Sequence, residues 1–98
     1  MPPSSSPYIQ VAPNGGTWVS VSGYAFAPNE KVEVNATVSW GGAARGSYYY
    51  YPTTSSGGAF SINAYVGGCT GVSKSVTVNA VGYNQDRANP VTVTVPAC

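Results

Sequence analysis

Residues 17–40 read TWVSVSGYAFAPNEKVEVNATVSW and decide the fold of this chain. On either side of the Ala27-Pro28-Asn29 turn, aliphatic residues alternate with mostly polar ones, as they do when successive side chains of a β-strand point to opposite faces. The positions predicted to face inward are Val19, Val21, Val32, Val34, Ala36 and Val38. This period of two, with one apolar face, predicts two half-buried antiparallel strands.

The two tryptophans of this stretch differ in parity. Trp40 falls on the same face as the valines, so we expect it to cap the core. Trp18 falls on the opposite face with Ser20 and Ser22, so we expect its ring to be exposed. Trp18 is therefore the first residue that points to a binding surface.

The rest of the chain repeats the pattern in short runs. Further strands are predicted at residues 8–11, 47–51, 60–66, 76–80 and 91–95, between turns rich in glycine, proline and asparagine. Residues 41–46 predict a flexible connection. About seven short strands predict an all-β, immunoglobulin-like Greek-key β-sandwich.

Composition limits the classes of partner. The chain has 98 residues, 7% of them charged, and a net charge of +1, so we expect neither nucleic acid nor a membrane span. Residues 1–7 predict a Pro/Ser linker and residues 8–98 a single domain. Linkers of this composition commonly separate modules of secreted proteins, so the expected partners include other domains of a larger secreted protein.

Two cysteines, Cys69 and Cys98, predict one disulfide and an oxidising, extracellular compartment. A metal-binding pair is the alternative, but the chain has no histidine and only three acidic residues to complete a site, so no metal is expected. In the usual Greek-key order, the fifth and seventh strands end at the same pole. That order makes a bridge between the two cysteines plausible.

Candidates for catalysis are few. Hydrolysis, phosphoryl transfer and proton abstraction need a positioned base, nucleophile or metal. The only acidic residues are Glu30, Glu33 and Asp86. We expect Glu30 and Glu33 to be solvated and Asp86 to belong to a turn. The chain is therefore predicted not to be an enzyme and to need no cofactor.

The runs GTWVSVSGYAFAPNEKVEV, GGAFSINAYV, SVTVNAVG and PVTVTV resemble bacterial immunoglobulin-like domains of secreted and surface proteins. Those domains carry a G-x-x-V-x-V-x-G-x-x-F-x-P-x-E-x-V-x-V stretch, then a G-x-F strand and two closing valine/threonine strands. The resemblance covers residues 16–95 and implies the fold more than any one function. The layout also resembles the enediyne chromophore-binding apoproteins, which carry two disulfides where this chain can form one.

Aromatic residues are the remaining candidates, since the chain has eight tyrosines and two tryptophans. In such a sandwich the second and fifth strands are neighbours, which would place Trp18 opposite Tyr65, both outward. The first strand would add Tyr8. The fourth strand would border the fifth and add Tyr48 and Tyr50 or Tyr49 and Tyr51, depending on register. The predicted ligand-binding set is Trp18, Tyr65, Tyr8, Tyr49 and Tyr51.

A planar row of exposed rings on a face of low charge suits a neutral polysaccharide such as cellulose, xylan or chitin. The sequence therefore favours a non-catalytic, carbohydrate-binding module of a secreted enzyme, with Trp18 and Tyr65 exposed and coplanar. One alternative is a structural, spacer or surface-assembly domain, in which these rings are covered. A second is a small-molecule carrier, with an apolar pocket between residues 41–46, residues 83–90 and the open face of one sheet.

Overall fold

A computed structural model describes residues 7–84 and 86–98, so residues 1–6 of the predicted linker lie outside the described residues. It has seven strands: β1 (Tyr8–Asn14), β2 (Trp18–Tyr24), β3 (Val32–Trp40), β4 (Ala43–Tyr50), β5 (Phe60–Tyr65), β6 (Lys74–Gly82) and β7 (Val91–Val95). They form two antiparallel sheets, ordered β1-β2-β5 and β4-β3-β6-β7. The predicted all-β sandwich is confirmed. In the described ranges, no helix is long and apolar enough to cross a bilayer.

The core consists mainly of small aliphatic side chains. Val34 pairs with Ala80 and Ala36 with Val78 across β3 and β6, and all four side chains are fully buried. The facing sheet contributes inward residues such as Val19 and Val21, and in β2 every second position is buried. Burying one such valine contributes about 1.5–3 kcal/mol. Because the centre is filled by valine and alanine, the larger side chains close the two ends.

The two ends of the sandwich, along the direction of the strands, hold different residues. β3 crosses the domain from Val32 to Trp40, about 26 Å. The Glu30 end is the end at Val32, and strand pairing places Tyr8, Tyr24, Phe60 and Gly82 there. The Lys74 end is the end at Trp40, and it also holds Asn14, Trp18, Ala43, Tyr65 and Val95.

The strand that carries the tyrosine run lies in the other sheet from the one we expected. β4 pairs with β3, not with β5, and Asn35 lies opposite Tyr49. The cause is the connection: Gly41 and Gly42 both have positive φ, 62° and 79°, as a tight two-residue hairpin turn requires. So short a turn cannot carry the chain to the opposite sheet. The predicted flexible connection over residues 41–46 is also wrong, since the strand begins at Ala43.

The predicted disulfide is confirmed at the Lys74 end. Cys69 and Cys98 are bonded, with their Cα atoms 5.2 Å apart and a sequence separation of 29. Gly16 packs directly on the disulfide, so closely that a Cβ at this position would collide with the Cys98 sulfur. The disulfide therefore ties the end of the chain to the β5–β6 loop and to the β1–β2 turn.

Candidate functional site

The outer surface of the β1-β2-β5 sheet, which we call the three-stranded face, carries no charged side chain. Its inward neighbours, such as Val19 and Ala64, are fully buried, so strand alternation turns the other set outward. That outward set is Tyr8, Gln10, Ala12, Asn14, Trp18, Ser20, Ser22, Tyr24, Ser61, Asn63 and Tyr65. The face therefore combines aromatic rings with neutral hydrogen-bonding groups.

Trp18 and Tyr65 form an exposed pair at the Lys74 end of this face. They lie opposite each other across β2 and β5, and 42% and 38% of their surface is accessible, as the alternation predicts. Their ring centroids are 5.3 Å apart at an interplanar angle of 71°. The prediction that the rings are coplanar is wrong, because neighbouring aromatic rings favour an edge-to-face contact in which a positive edge meets a negative face.

The aromatic contacts continue from Tyr65 around the open side of the sandwich. Tyr48 meets Tyr65 edge to face, with centroids 5.8 Å apart, and it packs against the core. The Tyr50 hydroxyl donates to the Tyr65 carbonyl oxygen at 2.9 Å. Trp18, Tyr65 and Tyr48 thus form a continuous series of rings that links the two sheets across their edge strands.

Tyr49 and Tyr51 do not belong to this series. Both are exposed, as the predicted set requires, but Tyr49 lies on the outer surface of the β4-β3-β6-β7 sheet, opposite Asn35. Tyr51 follows β4 with the same parity. Because β4 pairs with β3, the five residues predicted as one row are divided between the two outer surfaces of the sandwich.

A second aromatic pair lies at the Glu30 end of the three-stranded face. Tyr8 pairs with Tyr24, and their rings stack with centroids 5.1 Å apart and an interplanar angle of 26°. Trp18 and Tyr24 are six residues apart on β2, about 20 Å. Between them, the Ser20 hydroxyl donates to Asn63 at 3.2 Å. Sequence reasoning missed Tyr24, although its parity with Trp18 could have identified it.

An acidic pair is buried at the Glu30 end. Glu30 is only 5% exposed, so the prediction that it is solvated is wrong. The Asn84 and Ala27 backbone N–H groups donate to its two carboxylate oxygens at 2.9 and 3.0 Å, and Ala27 also donates to Asp86 at 2.7 Å. Gly82 makes room, since a Cβ there would lie 2.5 Å from the Glu30 carboxylate. Backbone donors from two loops therefore compensate the burial of these acids.

The two carboxyl groups affect each other's protonation. Burial raises the pKa of Glu30 above its usual range, and a hydrogen bond with Asp86 adds to the effect. The same hydrogen bond holds the pKa of Asp86 below its usual range. Glu30 is therefore the carboxyl group of the pair that keeps a proton to higher pH.

A cavity of about 190 Å³ opens at the Lys74 end, lined by Trp40, Arg45, Gly46, Tyr48, Gly67 and Lys74, among others. Lys74 is 2% exposed, and its Nζ donates to the carbonyl oxygens of Gly16, Gly67 and Gly68 at 3.1, 3.0 and 2.6 Å. Lys74 is not among the residues that the sequence pattern predicts to be functional. An ammonium that bonds three carbonyl groups fixes the β1–β2 turn to the β5–β6 loop.

The pocket predicted for a small-molecule carrier is not formed by the loops we expected. The Gly41–Gly42 turn lies at the Lys74 end, beside Trp40. The loop after β6 lies at the Glu30 end. There the backbone N–H of Gly82 donates to the Asp86 carbonyl oxygen, and that of Ala88 donates to the Ala80 carbonyl oxygen. These loops are on opposite ends of the same sheet, so they cannot enclose one ligand.

No protein-family model matches the chain, and no curated protein does either. Its fold is similar to that of solved structures. The FN5 domain of Drosophila Lar superposes with a TM-score of 0.57 at 15% identity, over 97% of this chain and 99% of that one. A structure described as a myokine superposes with a TM-score of 0.50 at 12% identity, over 96% and 99%. The likeness supports an immunoglobulin-like β-sandwich fold.

Proposed function

We propose that this domain is a non-catalytic extracellular module that binds a neutral polysaccharide on the three-stranded face. The observation that carries the proposal is the uncharged outward set, with an aromatic pair at each end and serine, asparagine and glutamine between them. Pyranose rings stack their apolar C–H faces on aromatic rings, and their hydroxyls bond neutral polar side chains. Cellulose, xylan and chitin are polymers of this class.

The angle between the Trp18 and Tyr65 rings restricts the shape of ligand that can bind. Because Trp18 and Tyr65 meet at 71°, they cannot both lie flat on one planar polymer surface. One ring can stack on a sugar while the other flanks it with its edge. With about 20 Å between the two aromatic pairs, a single extended polysaccharide chain fits this face better than a crystalline polymer surface does.

The course of the chain supports a module within a larger secreted protein. β1 starts at the Glu30 end, and β7 finishes at the opposite end, beside the disulfide. Domains with this layout can be joined end to end. The disulfide supports an oxidising, extracellular compartment. A secreted polysaccharide-degrading enzyme is the parent protein that a neutral glycan-binding face serves best.

The proposal is tested by sedimentation of the purified domain with insoluble cellulose, xylan and chitin. We expect the wild type to sediment with at least one polymer and Trp18→Ala to bind about tenfold more weakly, because it loses a stacking ring. Tyr49→Ala is the matched control, since it removes an exposed ring from the other sheet. Circular dichroism and thermal unfolding verify that both variants are folded.

Two results count against polysaccharide binding on this face. If the wild type sediments with none of the polymers, a structural, spacer or surface-assembly role becomes the better proposal. If Tyr49→Ala weakens binding as much as Trp18→Ala, the bound polymer does not depend on the three-stranded face.

A further inference from the structure

The charges of this chain are divided between its two ends. All three acidic residues, Glu30, Glu33 and Asp86, lie at the Glu30 end. Of the four basic residues, Arg45 and Lys74 line the cavity at the other end. Along β3, Glu33 and the cavity-lining Trp40 are about 23 Å apart. The cavity therefore holds half of the cations of the chain and none of its acidic side chains.

Lys74 brings a buried positive charge to this cavity. Its three N–H groups are used by carbonyl oxygens, which satisfy its hydrogen bonds but carry no net charge. A buried charge is costly unless an opposite charge lies near it. The positive charge of the ammonium would attract an anion in the cavity even though its N–H groups are already used.

Arg45 supplies the hydrogen-bond donors. Its guanidinium lies over the Trp40 ring, 4.2 Å from the ring centroid, and its Nε donates to the Trp40 carbonyl oxygen at 3.1 Å. Those contacts orient the group. A guanidinium has five N–H donors, and among the described residues none accepts a bond from the four on its terminal nitrogens. Such a fork matches the two oxygens of a carboxylate.

The rest of the cavity suits one sugar unit. Its volume of about 190 Å³ is below the roughly 300–1,000 Å³ typical of sites for drug-sized ligands. Tyr48 lines it with an aromatic ring, and the Tyr48 hydroxyl lies 3.5 Å from where a Cβ of Gly67 would stand. The same ring ends the Trp18, Tyr65 and Tyr48 series that begins on the three-stranded face.

We infer that this cavity is a second binding site, which takes the carboxylate of a uronic acid unit. Arg45 pairs with the carboxylate, Lys74 adds its field, and Tyr48 packs against the pyranose ring. The choice of a sugar rests on the proposed function; the choice of an anion rests on the charges of the cavity. The module would then prefer a polysaccharide whose neutral backbone carries acidic units.

The test is an NMR titration of the Trp40 indole N–H with glucuronate, glucose and acetate. We expect glucuronate to shift this resonance and glucose to leave it in place. Arg45→Gln is expected to weaken glucuronate binding by about tenfold or more, because a charge-assisted pair is lost. Arg87→Gln is the matched control: it makes the same change at an exposed arginine of the opposite end.

A second variant keeps both charges but fills the space. A Cβ at Gly46 would have no neighbour closer than 3.8 Å, so Gly46→Leu can be accommodated in β4 and would occupy the cavity. We expect it to abolish the glucuronate shift. The inference is overturned if glucose or acetate binds as well as glucuronate, if Gly46→Leu binds normally, or if Arg87→Gln weakens binding as much as Arg45→Gln.

The two proposals can fail separately. Sedimentation with a neutral polymer that needs Trp18 but not Arg45 supports the proposed function, whatever glucuronate does. A glucuronate shift that needs Arg45, in a domain that sediments with no neutral polymer, supports the cavity site and counts against the neutral backbone.

Discussion

The two ends of this sandwich are closed by opposite chemistry. At the Glu30 end, two carboxyl groups accept hydrogen bonds from backbone N–H groups of two loops. The buried Phe26 and Phe60 rings contact each other, with their centroids 5.6 Å apart. At the Lys74 end, one ammonium donates to three backbone carbonyls, and a disulfide completes the closure. One end is sealed by acids and the other by a cation.

The difference teaches how a core of small residues is completed and where it can bind a ligand. Valine and alanine fill the centre but cannot cover the loops, so a buried polar group organises each end. The acid pair leaves a compact end. At the Lys74 end there is a cavity, lined in part by the half-buried Trp40 and Tyr48 rings. We therefore place the second binding site at the Lys74 end, where Lys74 and the disulfide also stabilise the fold.

Removing the disulfide should have the largest effect on stability. For a loop of 29 residues, the chain-entropy model gives a loss of about 3.5 kcal/mol in the free energy of unfolding. Urea unfolding of the Cys69→Ser/Cys98→Ser double variant measures it, with the reduced wild type as a parallel sample. A loss below about 1 kcal/mol would show that the lysine closes this end without help from the disulfide.

Lys74→Met should cost about 2–3 kcal/mol, because three buried carbonyl oxygens lose their donor. Hydrogen exchange should show lower protection in the β1–β2 turn and the β5–β6 loop than at the Glu30 end. Lys31→Met, at an exposed position, is the control and should change stability by less than about 0.5 kcal/mol. Equal losses in the two variants would contradict a closing role for Lys74.

Glu30→Gln should cost about 1–2 kcal/mol, since the amide places an NH₂ group against the Ala27 or Asn84 N–H donor. Thermal unfolding measures the loss. Glu33→Gln makes the same chemical change on the half-buried outward side of β3 and is expected to have little effect. If the two variants lose the same stability, the buried acid pair does not stabilise the Glu30 end.

The smallest expected effect is a pH dependence of the domain's stability, caused by Glu30 and Asp86. Because the pKa of Glu30 is raised in the folded state, its contribution is complete below about pH 4.3 and is lost as pH rises through the folded pKa. The lowered pKa of Asp86 acts the other way, and its contribution is lost as pH falls below about 3.9.

Urea unfolding at a series of pH values checks this dependence. Glu30→Gln should remove the decline on the alkaline side of pH 4.3 and keep the decline on the acid side. Glu33→Gln, the matched control, should keep both. A wild-type curve that is flat above pH 4.3 would show that Glu30 ionises normally in the folded domain.

Strand alternation and turn signals suffice to predict the sandwich, the Trp18–Tyr65 pair and the disulfide. These features depend on the parity of side chains and the order of strands, which a sequence displays directly. The sheet assignment of β4 depends on one tight turn at Gly41–Gly42, and strand alternation carries no information about that turn. That single turn moves Tyr49 and Tyr51 to the opposite surface.

The remaining differences arise from loops and rotamers. Glu30 is buried because two loops fold together over it, and the sequence places these loops more than 50 residues apart, as the separation of 54 between Glu30 and Asn84 shows. The angle between Trp18 and Tyr65 depends on side-chain rotamers, which alternation does not determine. The Lys74 cavity depends on both the loops and the side-chain rotamers that line it.

The measurement that tests recognition by the three-stranded face most directly is an NMR titration with a soluble neutral oligosaccharide such as xylohexaose. We predict shifts concentrated on Trp18, Tyr65 and the residues between them and Tyr24, with the four-stranded surface around Tyr49 unchanged. Shifts centred on Tyr49, or no shifts at the highest soluble concentration of any neutral oligosaccharide, would contradict recognition by the three-stranded face.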